Sequence, residues 1–370
     1  MIIKNIEITN FRNYENLKLQ LEPNINIIYG NNGEGKTNLL ESIYVLAFTK
    51  SHRSFIDNNL IKYGENNARI NGTILNGLSY NLEVFLGKTT KKVKIDGNQV
   101  TKLGDYIEKS NIIIFTSDDL DLIKGYPSQR RKYLNLEISQ ISKAYFSAIN
   151  DYNKLLKIRN DYLKKLDNHE NINQPYFDTL TDYIVEKSVF IYQMRHQYIE
   201  KLNKICGDIY KNITGLSNFE IKYIPSINYV TPSREEIQKI MREKLNENIE
   251  KEIILKTTIY GPHKDDFEFS IDNKNLKNFG SQGQQRAAVL TLKLSEIKLI
   301  ENYKKSSPII LLDDVFSELD QQKINNLLSY IDSGTQVIIT TTDLDSIRNE
   351  LKSKANLLHI INGKIENEVQ

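Results

Sequence analysis

Apolar and polar positions alternate in different rhythms along the chain, and the changes of rhythm mark its organisation. Ile2, Ile3, Ile6 and Ile8 open a strand, Phe11-Arg12-Asn13-Tyr14 interrupts it, and Leu17, Leu19 and Leu21 alternate with period two. Period two puts successive side chains on opposite faces, so this pattern predicts a half-buried strand. Ile25, Ile27 and Ile28 predict a more deeply buried strand, and Leu39, Leu40, Ile43, Leu46 and Ala47 then recur at helical spacing. Between residues 68 and 100, Asn71-Gly72, Asn76-Gly77 and Asp96-Gly97-Asn98 punctuate short apolar runs and predict antiparallel hairpins. Ile112-Ile113-Ile114-Phe115 reads as a further buried strand.

The middle of the chain is helical. The pattern predicts helix from Gln129 to Asp167, a polar loop from Asp167 to Gln174, and a second helix from Tyr176 to Asn212. In the second, Phe177, Leu180, Ile184, Ile191, Tyr198, Leu202 and Ile209 recur near the helical period. Two long helices joined by a short loop imply an antiparallel arm. A charged helical piece, Ser233 to Leu245, follows. Strand signals return at Ile253 to Tyr260 and at Phe267, Phe269 and Ile271. A helix is expected through Ala287 to Ile300, buried strands at Ile309–Leu312 and Val337–Thr340, and a closing hairpin around Asn362-Gly363. The expected organisation is an α/β core built from residues 1–120 and 281–370, with residues 121–280 inserted as a helical arm domain.

Composition narrows the class. Hydrophobic residues make up 39% and charged residues 26% of the 370-residue chain, enough for a sizeable core. No apolar run reaches the length of about 18 residues that a membrane span needs. The N-terminus lacks the layout of a secretory leader, and the single cysteine, Cys206, excludes an intrachain disulfide and fits a reducing compartment. A cytoplasmic protein without a membrane partner is therefore expected. The formal net charge of +2 does not announce a nucleic-acid partner, so any such surface must be local.

The chemistry begins at Gly30-Asn31-Asn32-Gly33-Glu34-Gly35-Lys36-Thr37, which fits the phosphate-loop pattern G-x-x-x-x-G-K-[ST] between the expected strand and helix. Gly30, Gly33 and Gly35 permit positive φ and close approach of backbone N–H groups to phosphate oxygens. The helix N-terminus adds partial positive charge. Lys36 is suited to the β- and γ-phosphates and Thr37 to Mg²⁺. All eight residues are expected to bind ATP. Ile309–Leu312 ends in Asp313-Asp314, two carboxylates at the edge of a buried strand. That placement suits Asp313 to a Mg²⁺ ion and Asp314 to orienting or deprotonating an attacking water.

Ser281-Gln282-Gly283-Gln284-Gln285 at a helix start offers a second phosphate cradle, or else a plain serine N-cap. One chain has little use for two γ-phosphate cradles, whereas two chains facing head to tail would each complete the other's site.

Together, Gly30–Thr37, Ser281–Gln285, Asp313–Asp314 and Ser317-Glu318-Leu319-Asp320 resemble the Walker A, signature, Walker B and D-loop of an ABC-type ATPase head. With Phe11-Arg12-Asn13-Tyr14, Ser51-His52-Arg53 and Gly261-Pro262-His263-Lys264-Asp265-Asp266, the whole chain resembles the RecF family of recombination mediators, relatives of SMC heads. The resemblance implies ATP-dependent homodimerisation, binding of double-stranded and gapped DNA, cooperation with RecR and RecO, and help in loading recombinase. It places Arg12 and Asn13 at the nucleotide. It sets Ser281 and Gly283 on the γ-phosphate of the partner's ATP, with Gln284 among the ATP-binding residues, and Asp320 across the interface. Asp314 stands where such ATPases usually carry Glu, which implies slow hydrolysis. Thr341-Thr342-Asp343 replaces the switch histidine, and no glutamine occurs in Phe115–Leu120.

The alternative is the ATP-binding subunit of a membrane transporter. The helical arm, the missing switch histidine and the long span from Thr37 to Ser281 argue against it. Candidate DNA contacts are Lys91 and Lys92 in the hairpin region and Arg130, Arg131 and Lys132 at the start of the arm. No regular stacking platform accompanies them, so backbone-directed contacts are expected.

Overall fold

The computed structural model describes residues 1–167, 173–317, 321–331, 334–344 and 347–366. It divides into two compact units, one formed by Met1–Asp119 with Glu296–Gln370 and the other by Leu120–Ser295.

The first unit holds two six-stranded sheets. One is antiparallel, in the order Tyr14–Gln20, Ile2–Phe11, Asn67–Asn76, Leu78–Gly87, Lys91–Ile95, Asn98–Gln99. The other runs Lys364–Glu366, Ala355–Ile361, Ile25–Tyr29, Val337–Thr341, Ile309–Asp313, Ile112–Phe115. Its strands are parallel except for the final hairpin. The central strands are apolar on both faces, as a covered parallel sheet requires. Helix Lys36–Phe48 touches strands of both sheets. It is apolar all round for that reason, with Leu39, Leu40, Ile43, Val45, Leu46 and Ala47 fully buried.

Within this unit the Asn71-Gly72 pair is not a turn. It lies inside strand Asn67–Asn76. A Cβ on Gly72 would come within 2.6 Å of the Leu46 side chain, so glycine there admits the central helix rather than reversing the chain. Asn76-Gly77 and Asp96-Gly97 do sit at hairpin turns, with Gly77 and Gly97 at φ 69° and 80°.

The second unit is mainly helical. The helix expected from Gln129 to Asp167 is two, Pro127–Ile141 and Lys143–Asp167, broken at Ser142, whose backbone is extended. Helix Gln174–Thr214 packs against the second of them, starts on the Asn173 side chain and stops at Gly215 with φ 75°. Ser233 caps helix Arg234–Glu247. The strand expected at Ile253–Tyr260 does not form: Ile253–Leu255 end helix Ile249–Leu255, and residues 256–260 follow it as irregular chain after Lys256 at φ 55°. The apolar pair Ile253-Ile254 does not mark a buried strand: Ile254 is 73% exposed, while Glu252 of the same helix is fully buried against Arg159 at 2.7 Å. Strand Asp266–Ile271 pairs with Phe219–Ile224, which the sequence pattern did not announce. Residues 281–295 group with this unit, in contrast to the boundary expected at 280. Lys293 lies 4.5 Å above the Tyr133 ring and Cys206 donates to Ser295, so packing ties that stretch to the arm.

The motif Gly261–Asp266 is a hub of the second unit. Asp265 is buried and accepts from Arg195 at 2.5 Å, from the Ser226 N–H and from the Tyr223 hydroxyl. His263 bridges the Tyr152 hydroxyl and the Thr258 carbonyl. The carbonyl can only accept, so Nε2 carries the proton and Nδ1 accepts from tyrosine. Burial pushes the His263 pKa down to about 4.

Candidate functional site

In the first unit, strand Ile25–Tyr29 delivers the chain to Gly30, and helix Lys36–Phe48 leaves from the other end of the loop. The loop is shaped by its neighbours. At Gly30, φ is 152°, and a Cβ would strike the Ile360 carbonyl. At Gly35, φ is 112°, and a Cβ would strike the Asn13 side chain. Asn13 donates to the Glu34 carbonyl at 3.3 Å, and the Tyr14 hydroxyl donates to the Gly35 carbonyl at 2.9 Å. On the other side, the Gly363 N–H donates to the Glu34 carbonyl and the Asn362 N–H to the Glu34 carboxylate. Two hairpin turns thus brace the loop. Asn31, Asn32 and Gly33 form its exposed part, and Gly33 has φ 87° and open space around it.

Lys36 is 7% exposed, and its ammonium donates to the carbonyls of Gly30 and Asn31 at 2.8 Å each. Burial lowers its pKa, against the pull of Asp314, Asp313 and Glu34. The Thr37 hydroxyl donates to Asp313 Oδ1 at 2.9 Å, and Thr340 on the adjacent strand donates to the same oxygen at 2.8 Å. Burial raises the Asp313 pKa; those two hydrogen bonds and the Arg53 charge oppose it. Asp314 has φ 52°, and its N–H donates to Thr340 Oγ1 at 3.0 Å.

The residues fit Mg²⁺. A hydroxyl and a carboxylate side by side are hard oxygen donors, and Mg²⁺ is commonly held by one or two such groups plus phosphates and water. No group of three or more His, Cys, Asp or Glu side chains placed to hold a metal occurs among the described residues.

Arg12 has φ 54°, and its guanidinium is bidentate to Glu41 at 2.8 Å. Its neighbour Asn13 is the residue that reaches the loop. Asn38, Glu41 and Arg53 lie in the family-like runs Gly33–Glu41 and Ser51–Arg53, which carry no role for them individually, and Thr340 has no motif of its own. A charged residue inside the apolar run Leu39-Leu40-Glu41-Ser42-Ile43 was the available signal for Glu41.

In the second unit, Ser281 Oγ accepts from the Gln284 N–H at 3.2 Å and Gln284 Oε1 from the Ser281 N–H at 2.9 Å. This is a reciprocal capping box at the start of helix Gln282–Lys304. Gln285 donates to the Leu276 carbonyl. Among the described residues a Cβ on Gly283 would meet only the Ser281 hydroxyl, at 3.9 Å, and φ there is not positive, so none of them requires glycine. Asp320, with Glu318 and Leu319, lies outside the described residues.

The candidate DNA contacts separate. Arg130 is not a surface group: it is 6% exposed and bidentate to Asp266 at 2.6 and 2.8 Å. Arg131 donates to the Asp265 carbonyl, and burial lowers its pKa. Lys91 pairs with Asp57 at 3.0 Å and caps the Thr49 carbonyl, at the C-terminal end of the central helix. Lys132 is half-buried, and Lys92 is exposed on the antiparallel sheet.

Residues 2–363 match the family model described as the RecF/RecN/SMC N terminal domain. The DNA replication and repair protein RecF of Bacillus thuringiensis (strain Al Hakam) is 39% identical over 373 residues, covering 100% of this chain and 99% of its own. Among solved structures, the recombination mediator protein RecF with ATP, of the RecFOR pathway, superposes with a TM-score of 0.92 at 30% identity, covering 99% of this chain and 97% of that one. The Smc head domain of Pyrococcus furiosus, bound to the C-terminal domain of ScpA, shares the fold at a TM-score of 0.54 and 15% identity, covering 98% of this chain and 95% of that one.

Proposed function

The chain belongs to the RecF family, and on that footing we propose that it is an ATP-dependent DNA replication and repair protein that dimerises around nucleotide to clamp gapped DNA. The observation that carries the nucleotide site is the Thr37–Asp313 contact beside the buried Lys36, with the loop held open by two braces. Backbone N–H groups of the loop and the helix N-terminus receive the phosphates, and Lys36 exchanges its carbonyl partners for β- and γ-oxygens. Thr37 and Asp313 hold Mg²⁺, which supplies charge neutralisation on the phosphates when bound. Asp314 orients or deprotonates the attacking water from the end of strand Ile309–Asp313. Being one methylene shorter than Glu, it does so slowly, which suits a switch that resets rather than a motor.

Gly283 supports the dimer. Its backbone is clear for close approach by a group from outside the chain, and Ser281 and Gln284 flank it at a helix N-terminus. The γ-phosphate bound to a second copy fits that opening. RecR and RecO are the expected partners in loading recombinase, and ATP hydrolysis stimulated by DNA would release the clamp. No described helix is long and apolar enough to cross a membrane, and the matched relatives give the transporter reading no support. The test is retention of the protein on gapped against uniformly duplex DNA, with Mg·ATP, Mg·ADP or neither. ATP-dependent retention favouring the gap is expected. Retention indifferent to nucleotide would contradict the reading.

A further inference from the structure

Helix Lys36–Phe48 buries nearly every side chain it carries, and most of them are apolar. Glu41 is fully buried among them. An isolated carboxylate in that position would cost several kcal/mol, so its partners decide whether the site is tolerable. It has donors on both oxygens. Arg12 gives Nη2 to Oε1 and Nε to Oε2 at 2.8 Å each, the Ser51 hydroxyl approaches Oε1 at 2.5 Å, and Arg53 Nη1 approaches Oε2 at 3.4 Å. Burial disfavours the ionised carboxyl, but these hydrogen bonds and the two arginine charges outweigh it and hold the pKa below the ordinary range.

The arginines themselves are not buried. Their side chains are 22% and 40% exposed. Arg53 Nη1 also donates to Asn38 Oδ1 at 2.9 Å, and Asn38 directly follows Thr37. Asn38 donates to Asn13 Oδ1, and Asn13 donates to the Glu34 carbonyl in the phosphate loop. The network therefore starts on a buried carboxylate and ends on the loop. Arg53 Nε and Nη2 have no hydrogen-bond partner among the described residues, and the Arg53 charge is felt at Asp313. One carboxylate between two guanidiniums leaves a net positive charge, the sign a triphosphate needs.

We propose that Glu41 is a positioning residue that holds the Arg12 and Arg53 guanidiniums beside the phosphate loop, so that their charge favours ATP over ADP. This rests on the nucleotide-binding reading and assigns the loop a device for telling the two nucleotides apart. Glu41 touches no phosphate itself; it acts through the arginines.

The experiment is a double-mutant cycle on the full chain, with Mg·ATP and Mg·ADP affinities measured by fluorescence for wild type, Glu41→Gln, Arg53→Ala and the double variant. Wild type is measured first, and failure to bind either nucleotide would defeat the underlying reading rather than this one. Each single variant is expected to weaken ATP about tenfold, the scale of one charge-assisted contact, and ADP clearly less. The double variant should be little worse than the worse single one, because both act through one unit. Equal losses for ATP and ADP, or losses that simply multiply in the double variant, would overturn the proposal. Should Glu41→Gln not fold, Arg53→Ala keeps the Arg12–Glu41 pair, and ATP binding by that variant as tight as wild type would overturn it equally.

Discussion

The Thr37 hydroxyl donates to the Asp313 carboxylate at 2.9 Å, joining residues 276 positions apart in sequence. The parallel sheet makes this possible. Strands Ile25–Tyr29 and Ile309–Asp313 flank Val337–Thr341, so the phosphate loop and the acidic strand end open on the same edge. Thr340, on the strand between them, completes the support of Asp313.

Asp314→Asn should therefore leave Mg·ATP binding intact, since Thr37, Asp313 and the loop are untouched. Hydrolysis should fall by about a hundredfold or more, the usual contribution of a general base. Single-turnover phosphate release measures this. Hydrolysis at the wild-type rate would remove Asp314 from the role assigned to it.

Gly30→Ala should abolish nucleotide binding without unfolding the protein. Its Cβ would collide with the Ile360 carbonyl, and φ is 152°, so the loop must shift. Circular dichroism should remain native while ATP titration by fluorescence shows no saturation.

Arg130 and Lys92 should behave differently despite their similar charge. Arg130→Ala breaks a bidentate pair with Asp266 and should cost about 3 kcal/mol or more of stability, seen as a lowered denaturation midpoint. Lys92→Ala should leave stability alone. If Lys92 meets a phosphate, the slope of log affinity against log salt on duplex DNA should shrink by about 0.9.

His263 makes the helical unit sensitive to acid. Its folded pKa of about 4 lies below the unfolded value of 6.5, so the unfolded chain binds the proton first. Stability is full above pH 6.5 and is lost as pH falls towards 4, by about 3 kcal/mol at about 1.4 kcal/mol per pH unit. Thermal midpoints measured across that window should fall more steeply for wild type than for His263→Gln, which cannot charge.

The sequence was legible where one local pattern had one structural meaning. The loop from Gly30 to Thr37 and the strand ending at Asp313 satisfy strong local rules, and their positions followed. Patterns with two meanings misled. Asn71-Gly72 looks like a hairpin turn, yet Gly72 is small because Leu46 packs over it. Ile253-Ile254 looks like a strand, yet burial of Glu252 against Arg159 fixes that stretch as helix. Charge runs were the least informative. Arg130 and Lys92 carry the same charge but face different surroundings, and Asp266, 136 residues from Arg130, has no local signature. Glu41 was hidden for the same reason: Arg12, Ser51 and Arg53 surround it only after folding.

The central claim is that Ser281 and Gly283 serve the nucleotide of a second copy. Light scattering of wild type and Ser281→Arg, with and without Mg·ATP, tests it most directly, alongside ATP binding by fluorescence. Ser281 caps an exposed helix start, so a bulky cation there should leave the chain's own phosphate loop intact. Wild type should double in mass with ATP. Ser281→Arg should bind ATP and remain a monomer, with hydrolysis lost in parallel. Normal ATP-dependent doubling of mass by Ser281→Arg would contradict the account and reduce Ser281 to an N-cap.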